Sequence, residues 1–201
     1  MNISKNIQES FNLYKNNIMT SIALGFLLFL INLLNSIPII GTFIYSYLYP
    51  RILKYYYEKL TKEKLDSKLN ISFISIFIPN LLIGIEVIFS LLFIIFKNYV
   101  FLYIAFLLIV AGIILYVLSL YTIFGSILGK VDKYKFYIKN SFSIFVNLLV
   151  IGIILFSIYI LIAILSYFIS LLLAIILDIG FSILILLPLL NVVLITSTKN
   201  L

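Results

Sequence analysis

The chain has no histidine, no cysteine and no tryptophan. Without the first two, the usual zinc sites, haem and iron–sulfur ligation, disulfides, thiol nucleophiles and histidine general bases are excluded. No metal or cofactor is expected. Charge is scarce too: 10% of the residues are Asp, Glu, Lys or Arg, against ~25% in soluble domains. What is present is apolar. Residues of the Ala, Val, Ile, Leu, Met, Phe, Trp, Tyr, Cys set make up 64% of the 201. A water-soluble domain of this size has too few charges to cover that much apolar surface, so the composition predicts a membrane protein.

Lys plus Arg is 14 and Asp plus Glu is 7, a net charge of +7. In a chain this apolar, a basic excess points to loops that face anionic headgroups on the cytoplasmic side, not to nucleic acid. Such residues cluster between apolar spans, and here they do. A spanning helix takes ~20 apolar residues. Residues 18–35 form a first span, followed by the Asn35-Ser36-Ile37-Pro38 turn signal. A second runs from residue 39 to about 57 through Pro50. Its charged half is extended by snorkelling of Arg51 and Lys54. Tyr45, Tyr47, Tyr49, Tyr55, Tyr56 and Tyr57 suit an interfacial belt. Residues 71–96 and 100–129 form a central hairpin about Lys97-Asn98, and residues 143–198 form a last one. Its turn falls at either residues 166–170 or residues 178–180, and the second is favoured.

The expected fold is therefore all-α: a polytopic integral membrane helix bundle of about six transmembrane helices in one domain. An amphipathic lead-in (1–17) precedes the first hairpin (18–57). Basic loops at 58–70 and 130–142 flank the central hairpin (71–129). This layout puts thirteen of the fourteen basic residues on one side and leaves Lys97 alone on the other. The positive-inside rule then places both termini in the cytoplasm, for a multi-pass protein of the cell membrane. No secretory signal is expected, since the first apolar run starts late and lacks a small-residue cleavage site. In the lead-in, Ile3, Ile7, Phe11, Tyr14 and Ile18 fall within a ~80° arc, as in a helix lying in the interface.

A parallel internal repeat is expected as well. Ser10-Phe11 and Asn16 before the first span are echoed by Ser141-Phe142 and Asn147 before the fifth. The Ile37-Pro38-Ile39-Ile40-Gly41 turn is echoed by residues 176–180, and Pro50 by Pro188. This second echo is why the last turn is placed at Asp178–Gly180. The same residues resemble a broad group of prokaryotic multi-pass membrane domains that includes the membrane region of some glycerophosphodiester phosphodiesterases. The resemblance implies a membrane bundle over most of the chain. It implies no phosphodiesterase activity, because the chain has no soluble catalytic domain.

Ionisable groups inside a bilayer are costly, so each one is a functional candidate. Only Glu86 and Asp178 interrupt the apolar runs. Asp178 is expected at the outer turn, solvated or capping a helix. Glu86 is expected near mid-depth. On a helical wheel Ser75, Pro79, Glu86, Ser90 and Lys97 share a ~60° arc. Pro79 cannot donate to the Ser75 carbonyl, which leaves a free acceptor on that face. Glu86, Ser75 and Ser90, with Asn32 and Asn147 on other spans, form the candidate intramembrane polar site. It holds a proton or small cation, or it simply packs inward, and packing is the weightier reading. Small and polar residues such as Ser21, Gly25, Gly112, Ser126 and Asn191 read as helix–helix glue. The leading expectation is a protein without catalysis of its own, acting in membrane organisation or as a partner subunit, with other membrane proteins or a second copy as partners. A transporter or channel subunit comes next, and an intramembrane enzyme last.

Overall fold

The computed structural model describes residues 3–167 and 171–201, with side chains for 4–164 and 175–201. Every regular element among them is helical. In chain order these are α1 (Ile3–Asn16), α2 (Ile18–Asn35), α3 (Ile40–Thr61), α4 (Leu69–Phe96), α5 (Tyr99–Ile127), α6 (Ile138–Tyr167), α7 (Leu171–Phe181), a π-helical segment (Ser182–Leu186) and α8 (Leu187–Lys199). Five helices are long and apolar enough to cross a membrane: α2, α4, α5, α6 and the continuous run from Ile175 to Lys199. The protein is a helical bundle of the membrane type.

The expected second span, α3, is not among those five. Arg51, Lys54, Glu58 and Lys59 fill its second half. It is nevertheless deep in the protein. It turns back beside α2, so that Ser21 Oγ and the Tyr56 hydroxyl share a hydrogen bond of 2.6 Å. The tyrosine belt expected here is largely not a belt. Tyr45, Tyr49, Tyr56 and Tyr57 are buried in the protein core, and only Tyr47 and Tyr55 are well exposed. Two of the buried hydroxyls find protein partners. Tyr56 has Ser21, and Tyr49 donates to Asn191 Oδ1 of α8. Neither needs the membrane interface for a polar contact.

Such polar pairs tie the helices together. Ser72 of α4 bonds Ser126 of α5 at 2.5 Å, and Asn147 of α6 donates to Ser197 of α8 at 3.0 Å. Glycines allow close approach where backbones meet. A Cβ at Gly25 would lie 1.8 Å from the Ile183 carbonyl oxygen. The Gly125–Gly129 spacing is used within the chain. Gly125 packs on Val131, and Gly129 takes a positive φ of 74° against the Asp66 carbonyl.

One end of the bundle gathers the charged loops. Lys199 pairs with Glu63 at 3.5 Å. Asn200 donates to Asn6 and Glu9 of α1. Lys130 donates to the carbonyls of Thr198 and Lys199, closing the C-terminus of α8. Burial and the neighbouring Lys199 charge hold the Lys130 ammonium below its usual range. Against these contacts, α1 presents Asn6 and Ser10 as its most buried residues, while Phe11 and Ile18 stay exposed. The buried face thus takes in only part of the apolar arc read in the sequence, since Ile7 and Tyr14 pack against the core and Asn6 and Ser10 lie deepest.

The core sits toward that same end. In α4 the buried residues are Ser72, Ser75, Ile76 and Pro79. Beyond Pro79 α4 has no further fully buried residue among the described ones. The α2–α3 turn packs beside Gly84, 12 residues short of Phe96, or about 18 Å along the helix. That turn is strained. Ile39 has φ 65° and ψ −64°, and Ile40 N–H donates to Pro38 O at 2.7 Å, a γ-turn of the rare positive-φ kind. For a β-branched residue this conformation costs on the order of 1–3 kcal/mol.

The last hairpin departs from expectation. Residues 178–180 are not a turn, since α7 runs helical through all three. The alternative turn lies partly in the helical end of α6, with residues 168–170 outside the described ones. Contacts between Asn147 and Ser197 and between Tyr159 and Phe181 show α6 running antiparallel to α7 and α8. The repeat equivalence fails at the same place. Residues 36–39 form a turn and their echo is helix. Asn16 is exposed and Asn147 is buried. A single glycine in an apolar run carries too little turn signal to stop a helix.

Candidate functional site

Glu86 lies on the outer part of α4, past the buried stretch that ends at Pro79, and is half-buried. Ser90, one helical turn on, donates to Glu86 Oε1 at 2.6 Å. This pair follows directly from i, i+4 spacing. Ser75 is fully buried, and its hydroxyl donates to the Ile71 carbonyl at 2.8 Å. It lies 11 residues from Glu86, about 16 Å along the helix. The shared wheel face is therefore split into a packed lower part and an open upper part. At the lower part α5 closes on α4, where a Cβ at Gly112 would lie 3.0 Å from the Pro79 carbonyl.

The other two candidates do not join this pair. Asn32 is exposed on α2. Asn147 is buried and bonded to Ser197, close to the charged end, with its Oδ1 unpartnered. Of the five residues read as one polar site, only Glu86 and Ser90 meet.

A second constellation forms around Asp178. Because α7 continues through it, Asp178 lies within an apolar helix, not in the solvated turn expected of it. Tyr159 of α6 lies across from it in the same cavity lining. Phe156 and Tyr159 stack at 6.4 Å, and Tyr159 and Phe181 lie 6.2 Å apart. These groups, with Gly152, Ser182 and Leu186, line a cavity of about 290 Å³. The π-helical segment begins at Ser182, directly beside it. The sequence did carry one signal for this site: Asp178 is one of two acids in apolar runs. Reading it as a turn hid the aromatic residues opposite.

Two further cavities are polar. One, of about 330 Å³ at the charged end, is bordered by Glu9, Asn12, Asn16, Tyr57, Thr61, Lys199 and Asn200. The other, of about 100 Å³, lies under the α2–α3 turn between Asn35, Ser36, Thr42 and Asn80. Asn35 Oδ1 and Asn80 Nδ2 there are buried without a partner. Among the described residues no three of His, Cys, Asp and Glu converge on a point. Compared with known protein families, curated proteins and solved structures, the chain matches none.

Proposed function

We propose that the protein is a multi-pass membrane protein without catalysis of its own, acting as a partner subunit or organiser within the plasma membrane. In this reading α3 crosses with the five apolar helices. Both termini and the basic loops face the cytoplasm and its anionic headgroups. One observation carries the reading. The Glu86–Ser90 pair sits on the part of the α4–α5 hairpin that stands clear of the core. A carboxylate in a span is costly toward lipid, and a helix packed over it, from another membrane protein or a second copy, removes that cost. The polar groups elsewhere in the spans support the same view, since many are engaged in helix–helix pairs.

The chain has no cysteine, so single cysteines report cleanly. Ile94→Cys, exposed one turn beyond Ser90, is expected to form a crosslinked adduct in native membranes. Met19→Cys, exposed on α2, is expected to form none. No adduct at Ile94 or at Val87, one turn to either side of Ser90, would refute a partner on this face.

A transport reading rests on the same carboxylate, since an acid within a span is a candidate carrier of a proton or cation. Proton or cation flux in liposomes that disappears in Glu86→Gln would support it. Absence of flux, with Glu86→Leu still folded, would favour packing.

A further inference from the structure

The cavity between α6 and α7 combines features that packing does not require. Its polar centre is a carboxylate, Asp178, on an otherwise apolar helix. Around it stand three aromatic rings, Phe156, Tyr159 and Phe181, spaced at 6.2–6.4 Å. A carboxylate and aromatic rings sharing one cavity lining favour one kind of ligand, a cation with weak hydration. The apolar remainder of the lining favours hydrocarbon attached to that cation.

An independent observation comes from the opposite wall. Gly152 lies mid-way along α6, where glycine costs about 0.5–1 kcal/mol relative to alanine. Contact explains Gly25 and Gly112 but neither Gly152 nor Gly180, and of these last two only Gly152 lines the cavity. At Gly152 a Cβ would meet nothing within 4 Å. A larger side chain here would extend into the cavity. The wider turn of the π-helical segment begins at Ser182, on the same cavity, and such single π turns recur at binding sites.

We propose that this cavity binds an organic ammonium group carrying a hydrocarbon chain. Asp178 supplies the counter-charge, and Phe156, Tyr159 and Phe181 supply aromatic faces in the same lining. Gly152 leaves room for the first methylenes. At about 290 Å³ the cavity takes a headgroup and the start of its chain. The same chemistry is offered by the ammonium headgroup of a zwitterionic phospholipid and by a free lipophilic amine.

The full-length protein in phosphatidylglycerol nanodiscs, which lack ammonium headgroups, provides the test. Binding of radiolabelled hexyltrimethylammonium is measured against empty nanodiscs, with the folded state of each variant checked by size-exclusion chromatography. Saturable binding is expected. Asp178→Asn and Gly152→Leu are each expected to weaken it at least tenfold. Gly180→Ala, on the same hairpin but off the cavity lining, is expected to leave it unchanged. Competition when phosphatidylethanolamine or phosphatidylcholine is added to the nanodiscs identifies a lipid headgroup as the source, and lack of competition identifies a free amine. No saturable binding, or wild-type affinity in folded Asp178→Asn or Gly152→Leu, would overturn the assignment.

Discussion

The Tyr14 hydroxyl donates to the Leu184 carbonyl at 2.6 Å. That carbonyl lies four residues before Pro188, which has no N–H to give it. A side chain of α1 thus serves an acceptor whose α-helical donor position is a proline. Tyr14→Phe is expected to destabilise the protein by about 1 kcal/mol. In a Pro188→Ala background, where the helix regains a donor, the same change is expected to cost little. Thermal unfolding of the four proteins in detergent measures the cycle. Equal cost of Tyr14→Phe in both backgrounds would show that the hydroxyl does not act through this carbonyl.

Burial also holds the Tyr14 phenol above its usual value of 10.0. The unfolded chain then releases this proton first. Tyr14's contribution is fully present below pH 10 and is lost as pH rises through the folded value. The difference between the alkaline stability profiles of wild type and Tyr14→Phe is expected to shrink over that window.

Two glycines of similar sequence context are expected to behave oppositely. Gly25→Ala places a Cβ 1.8 Å from the Ile183 carbonyl oxygen, so α2 must move off the π-helical segment. A loss of about 3 kcal/mol or more is expected. Gly180→Ala meets nothing within 4 Å in the middle of a helix. It is expected to be neutral or to stabilise by about 0.5–1 kcal/mol. A marked loss at Gly180 would restore the turn there.

Asn191 joins α8 to α3 through Tyr49 and also donates to the Leu187 carbonyl at 2.8 Å. Asn191→Ala strands a fully buried tyrosine hydroxyl and is expected to cost about 1–2 kcal/mol. Adding Tyr49→Phe to it is expected to cost less than Tyr49→Phe alone in the wild type. Strict additivity would sever the proposed link.

The composition and the runs of apolar residues made a helical membrane bundle legible from the sequence, down to the α4–α5 hairpin at Lys97-Asn98. The Glu86–Ser90 pair was legible for the same reason, since helical spacing alone creates it. Long-range contacts were not. Nothing in the residues 45–57 distinguishes a tyrosine at a headgroup from one bonded to Asn191 or Ser21. The Asp178 cavity was missed because a continuing apolar helix and a hairpin turn differ there by only Asp and Gly. Register between α6 and α7, which brings Tyr159 to Asp178, is written in packing and not in local pattern.

The proposed topology puts the basic loops on one side of the membrane and the Lys97-Asn98 turn on the other. Single cysteines at Asn98, Lys64 and Lys133 test it directly, using a membrane-impermeant maleimide on intact cells and again after permeabilisation. The account predicts that Asn98→Cys labels in intact cells, and that Lys64→Cys and Lys133→Cys label only after permeabilisation. Labelling of Asn98→Cys from the same side as either of the other two would contradict it.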